Sequence, residues 1–216
     1  MTDFERLRLG MVDGQIRTAD VTDHRVLAAF LTVPRETFVP DARRGLAYLD
    51  SRVPLGVPGR AMMEPMILAR LIQLAAPREG ERALVVGCGY GYAAAIFAEL
   101  GLQVTALEDD EALVGEARGR LSTYGGVTVV GGALAAGTAE GGPFDLIFCD
   151  GAIVTGEDAL AASLKPQGRL VAPAGEGRAT RATIFRRTDQ GLAATTFFDA
   201  AAPSLPGFQR AEAFAF

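Results

Sequence analysis

Hydrophobic and polar positions follow two rhythms along this 216-residue chain. Short apolar runs occupy 82–86, 103–108, 127–130, 144–150 and 169–172. They are rich in β-branched residues and do not alternate, as expected of parallel strands buried on both faces. Between them lie stretches with apolar positions three or four apart, which predict helices over 93–98, 110–121 and 158–164. Lys165-Pro166-Gln167-Gly168 reads as the turn before the fifth run. Two later segments, Thr183–Arg187 and Ala194–Phe198, alternate in a period of two and predict an antiparallel hairpin. Phe214-Ala215-Phe216 adds a candidate edge strand.

The first third of the chain reads differently. Residues 1–20 have helical character, and a clearer helix carries Val26, Leu27, Phe30 and Leu31 behind a Thr22 or Asp23 cap. Val33-Pro34-Arg35 ends it, and a short helix is expected over 42–46. Residues 51–63, with Pro54, Gly56, Pro58 and Gly59, predict a loop over a pocket. A further helix starts at Glu64-Pro65 and runs through Leu74. Strands alternating with helices define an α/β, Rossmann-like, doubly wound sheet of seven strands ending in an antiparallel hairpin. It forms one domain over 1–216: a helical layer and pocket loop over 1–65, and a core over 66–216.

The chemistry centres on the first core strand. Gly87-Cys88-Gly89-Tyr90-Gly91-Tyr92 follows it directly and opens a helix. Glycines allow a sharp turn and close approach of a ligand, and helix-start N–H groups face the site. A dinucleotide fingerprint needs glycine at the sixth place, where this chain has Tyr92. Gly-x-Gly-x-Gly is instead the form in which class I methyltransferases hold S-adenosylmethionine, releasing S-adenosylhomocysteine as product. Glu108 ends the next strand, where an acid can accept both ribose hydroxyls. Asp109, Gly132, Ala133 and Leu134 fall at neighbouring strand ends and complete the expected cofactor set. The same logic places Asp150 on the acceptor side, although a strand-end aspartate also serves to cap a turn.

Charge and composition narrow the partners. A net charge of −5 disfavours nucleic acid. Cys88 and Cys149 sit in apolar contexts that suit free thiols, and one histidine, His24, cannot build a metal cluster. With no apolar signal segment and no membrane-length run, a cytoplasmic protein is expected. The oligomeric state is not encoded in any pattern here.

The order of motifs resembles the protein-L-isoaspartate O-methyltransferase family across most of the chain. The resemblance rests on Val26-Leu27-Ala28-Ala29 with Val33-Pro34-Arg35-Glu36-Thr37-Phe38-Val39-Pro40, Ala47-Tyr48 with Asp50, and Pro54-Leu55-Gly56. It continues through Gly87–Ala94, Pro143-Phe144-Asp145 and Leu164–Val171. It implies methylation of the α-carboxylate of isoaspartyl residues in damaged proteins or peptides, the first step of their repair. Two departures stand out. Met62-Met63-Glu64-Pro65 replaces the family's Ile-Ser-(Gln or Ala)-Pro, so the thioether of Met63 stands in place of a hydroxyl. Gly131-Gly132-Ala133 replaces Gly-Asp-Gly, removing an aspartate that contacts adenine in the family.

Met63, Glu64, Pro65 and Asp150 are therefore the acceptor-pocket candidates. An ionised carboxylate needs no general base, so the lost hydroxyl is tolerable. An added anion is more serious, because repulsion at 4 Å is roughly 4 kcal/mol at an effective dielectric near 20. Either Glu64 faces away from an anionic acceptor, or the acceptor is a small molecule or non-anionic group. A non-catalytic protein that binds the cofactor is the third reading.

Overall fold

The computed structural model describes residues 3–177, 179–189 and 191–209. The expected edge strand at 214–216 lies outside them. Helices α1 (Asp3–Met11) and α2 (His24–Thr32) belong to the N-terminal layer, joined by a π-helical turn over Val12–Ile16 and a 3-10 turn over Arg17–Ala19. Asp23, not Thr22, caps α2, its carboxylate accepting from Arg25 and Val26 N–H. Residues 41–46 form a 3-10 turn. The segment predicted as a loop over the pocket holds a small hairpin, β1 (Val53–Pro54) against β2 (Ala61–Met62), with Val53 opposite Met62. Leu55 N–H donates to Arg60 O and Arg60 N–H to Val57 O, which tightens its tip. This strap leads into α3 (Pro65–Ala75), with proline at its first turn.

The core holds β3 (Arg82–Val86), α4 (Tyr92–Glu99), β4 (Gln103–Glu108), α5 (Glu111–Leu121), β5 (Val127–Gly131), β6 (Phe144–Cys149), α6 (Glu157–Ala161), β7 (Leu164–Ala174), β8 (Arg181–Thr188) and β9 (Gly191–Asp199). Seven strands form one sheet in the order β5-β4-β3-β6-β7-β8-β9. The first five are parallel, while β8 and β9 run antiparallel to their neighbours as the closing hairpin. Alternate residues of β3 serve opposite faces. Ala83 and Val85 join the core shared with α2, α3, α4 and α5, and Leu84 and Val86 join that shared with α6, Leu205 and Phe208.

Two sequence expectations fail at β7. Helix α6 ends at Ala161, not 164, because Leu164 already pairs with Phe144. The expected turn at 165–168 lies inside β7 as an irregularity in its pairing with β6, where Gln167 takes a positive φ of 62°. Proline and glycine there mark a bulge, not a chain reversal.

Candidate active site

From β3 the chain runs to β4 and β5 on one side, then returns through β6 to β3's other side. The crevice at that switch, at the carboxyl ends of the strands, is where an open α/β sheet binds its ligand. A cavity lies there, lined by Phe38, Leu55, Arg60, Met62, Gly87, Cys88, Gly89, Tyr90, Tyr92 and Asp150. The glycine turn, the strap and the end of β6 thus meet at one place.

The glycine turn has the predicted geometry. Gly87, Gly89 and Gly91 hold φ of 73°, 57° and 99°, a region that side chains strain to adopt. Gly91 is the residue before α4. A Cβ at Gly89 would meet Leu55 at 2.6 Å, and one at Gly91 would meet Leu121 at 2.5 Å. Cys88 is buried, and desolvation pushes its thiol well above the ordinary range, so it is not a ready nucleophile.

Glu108 is fully buried beside this turn. Its Oε2 accepts from Gly89 N–H at 2.7 Å and its Oε1 from Asp109 N–H at 3.0 Å. Both oxygens also accept from Arg60, Nη1 and Nη2 each at 2.6 Å, and Nη1 reaches Asp109 Oδ1 at 3.0 Å. Burial pushes the Glu108 carboxyl upward, while Arg60 and the Gly89 N–H oppose that shift. For Arg60, burial acts downward, but the bonds and charge of Glu108, with Asp109, raise it. The ionised pair is the state this donor geometry fits. Arg60 was not among the residues expected here. Its segment was read as a loop over the pocket, and nothing in the spacing tied residue 60 to residue 108.

The remaining expected positions divide. Gly132 and Asp109 line a neighbouring surface cleft. Ala133 is exposed, and Leu134 is buried in the core on the α6 side, not presented to the cavity. Met63 is fully buried, its carbonyl accepting from Arg35 Nη2 at 2.6 Å, and Pro65 is buried at the start of α3. Glu64 makes no side-chain cap on α3 and instead accepts from Arg52 Nε at 3.1 Å. Its charge therefore faces a cation on the strap. His24 is exposed at the start of α2.

Asp150 does enter the cavity. Its N–H donates to Val86 O at 2.9 Å, fixing the end of β6 to the end of β3. Its Oδ1 is enclosed without a hydrogen-bond partner. Burial pushes its carboxyl up to about 7, against the pull of Arg60 and Arg35. The loop after it is clamped by the segment beyond β9: Ala152 N–H donates to Pro203 O at 2.7 Å, and Leu205 N–H to Ala152 O at 2.9 Å. A methyl at Gly87 would collide with Leu205 at 2.5 Å. Sequence reading had no signal for this clamp, because 203–205 lack strand periodicity.

A parallel sheet with this switch point, a three-glycine turn and a buried acid at the tip of β4 together define a class I methyltransferase. The turn of left-handed glycines and the Glu108 carboxylate bonded to it are the groups that would receive S-adenosylmethionine once Arg60 releases Glu108. Comparison with known proteins gives the particular family. The model of the protein-L-isoaspartate(D-aspartate) O-methyltransferase family matches residues 9–200. A protein-L-isoaspartate O-methyltransferase of Methylorubrum extorquens is 44% identical over 88% of this chain and 82% of its own length. One from Aeropyrum pernix is 37% identical over 87% of this chain and 74% of its own. A Plasmodium falciparum protein assigned to the same enzymes, solved with S-adenosyl-L-homocysteine, superposes with a TM-score of 0.77 over 95% of this chain and 99% of its own, at 18% identity. The chain belongs to the protein-L-isoaspartate(D-aspartate) O-methyltransferase family.

Proposed function

We propose that this protein is an S-adenosylmethionine-dependent O-methyltransferase that methylates the carboxylates of isoaspartyl residues in damaged proteins. The observation that carries this reading is the meeting of Gly87, Gly89 and Asp150 at one strand-end cavity, with Glu108 bonded to Gly89 behind it, in a chain of this family. Bound S-adenosylmethionine supplies a methyl on a sulfonium: the acceptor oxygen forms the new C–O bond, and the sulfur keeps the electron pair of the broken one. No proton moves, so the protein's task is to align the two partners and exclude water.

Gly87, Gly89 and Gly91 would let the methionine portion lie against the backbone, and Glu108 would hold the ribose hydroxyls. Both Glu108 oxygens are engaged by Arg60, so Arg60 must leave before the sugar can take its place. The strap is therefore a lid as well as a wall. Glu64 is turned to Arg52, which removes the repulsion that would have argued against an anionic acceptor. Met63, which stands in place of the family hydroxyl, is fully buried, and its neighbour Met62 lines the cavity. The proposed place of work is the cytoplasm; no helix among the described residues is long and apolar enough to cross a membrane.

The test is a base-labile methyl ester count with an isoaspartyl peptide and radiolabelled S-adenosylmethionine. The wild-type chain should form ester at least tenfold faster than Glu108→Ala. Ester no higher than that variant's background rejects the substrate.

A further inference from the structure

Among the described residues, four enclosed side-chain polar atoms have no hydrogen-bond partner, and three of them gather near the cavity: Arg35 Nη1, Tyr92 OH and Asp150 Oδ1. Tyr92 and Asp150 line it, and the Arg35 guanidinium lies over the Tyr92 ring with Cζ 5.0 Å from its centroid. Arg35 and Asp150 are near enough to feel each other's charge. Leaving such groups unmet is costly, so a cluster of three is more informative than any one of them.

Their orientation is fixed by bonds that serve nothing else. Arg35 is fully buried, its Nε donating to Ala47 O at 2.7 Å and its Nη2 to Met63 O. Only Nη1 is left over. Tyr92 is held edge-on to Phe30, with ring centroids 6.0 Å apart, and against Phe38 at 5.6 Å. Asp150 is pinned through its own N–H and through the clamp on the loop that follows. A brace for the strap explains two nitrogens of Arg35, and the mutual attraction of Arg35 and Tyr92 draws the third towards the phenol; neither satisfies the carboxylate oxygen of Asp150.

The set comprises two donors and one acceptor. An L-isoaspartyl residue offers the complement from a single carbon: its α-carbon bears both the free carboxylate and the amide nitrogen with its hydrogen. Resting on the function proposed above, we propose that Arg35 and Tyr92 hold the non-reacting oxygen of the acceptor carboxylate while Asp150 accepts the N–H of the same residue. The other carboxylate oxygen is then free to form its bond to the methyl carbon. An ordinary aspartyl side chain separates its carboxylate from that N–H by one more carbon and meets only half of the set. Asp150 is thus a specificity residue, reading the isomer and not merely the charge.

Calorimetry on the protein saturated with S-adenosylhomocysteine tests this without requiring turnover. The probes are a short L-isoaspartyl peptide and the same peptide N-methylated at the isoaspartyl nitrogen. Wild-type protein should bind the N-methyl peptide about tenfold more weakly, whereas Asp150→Ala should bind the two within twofold of each other. Tyr92→Phe, which removes one oxygen and leaves the packing, should weaken both peptides equally; it serves where Arg35→Lys disturbs the fold. S-adenosylhomocysteine should bind all variants alike. Equal discrimination by wild-type and Asp150→Ala overturns the proposal. So does a loss confined to the cofactor, which would assign Asp150 to the cofactor's amino group, and so does failure of wild-type protein to bind the isoaspartyl peptide. Binding without ester formation would leave this subsite standing and reject the reaction proposed above.

Discussion

At the amino end of the parallel strands, Glu81 is gripped by Arg169 through two bonds of 3.0 and 2.7 Å, and Asp145 by Lys165 at 2.7 Å. At the carboxyl end, Glu108 shares Arg60 with Asp109, and Asp150 Oδ1 has no partner. Burial pushes upward in all four cases. At the amino end the cations outweigh it, and Glu81 and Asp145 fall below their ordinary range. At the carboxyl end burial prevails, and Glu108 and Asp150 rise. Arg169 also donates to Ala75 O and Ala76 O at the end of α3, whereas the bonds of Arg60's guanidinium run to carboxylates alone. One end is electrostatically complete and belongs to the scaffold. The other is left electrostatically incomplete, as clefts that bind ligands commonly are.

The largest expected effect tests the scaffold end. Arg169→Ala should cost about 3 kcal/mol in denaturant unfolding, because Glu81 and two helix-end carbonyls lose their donor together. The affinity for S-adenosylhomocysteine should stay within twofold. A loss of affinity with stability intact would break the contrast between the two ends.

Arg60→Ala probes the other end, and its effect should be smaller and opposite in sign for binding. Removing a competitor for Glu108 should tighten S-adenosylhomocysteine about tenfold, roughly 1.4 kcal/mol, by calorimetry. The ligand-free protein should melt earlier, since a buried carboxylate is left alone. Weaker binding in this variant would mean that Arg60 stays to hold the cofactor, and the lid reading would fail.

The smallest effect is in acid. Carboxyls held below their unfolded values, Glu81 and Asp145, contribute stability that is present above the ordinary carboxylate range and is lost as pH falls through their depressed values. Asp150 acts in the opposite sense. Raised to about 7, it keeps a proton that the unfolded chain releases near pH 4, so its contribution declines as pH rises across that window. Asp150→Asn should therefore gain steadily on wild type as pH rises from 5 to 7, by at most about 1.4 kcal/mol per pH unit. An identical slope in both proteins would show that Asp150 is not the group responsible.

These contrasts also explain what could be read from residue order. The strands, the glycine turn and Glu108 were legible because each depends on local pattern: apolar runs, a backbone conformation, a strand end. Glu64 stood as a possible rival charge in the pocket, and only its distance to Arg52 places it elsewhere. The bulge in β7 resembled a turn because proline and glycine mark both. Arg60 and Leu205 were invisible for a common reason. Each reaches the site from a segment without periodicity, across 48 residues to Glu108 in the first case. Arg35, legible only as part of the Val33–Pro40 motif, is held by two carbonyl oxygens, with one nitrogen to spare.

Leu205 packs beneath both Gly87 and Gly151, although it follows the last sheet strand in the chain. During synthesis Leu205 consequently leaves the ribosome well after the glycine turn that it supports. Nascent chains would carry the glycine turn and Glu108 before the side chain that packs beneath the turn has emerged. Proteolytic nicking past residue 199 would have the same result: an intact sheet, silent toward its ligand.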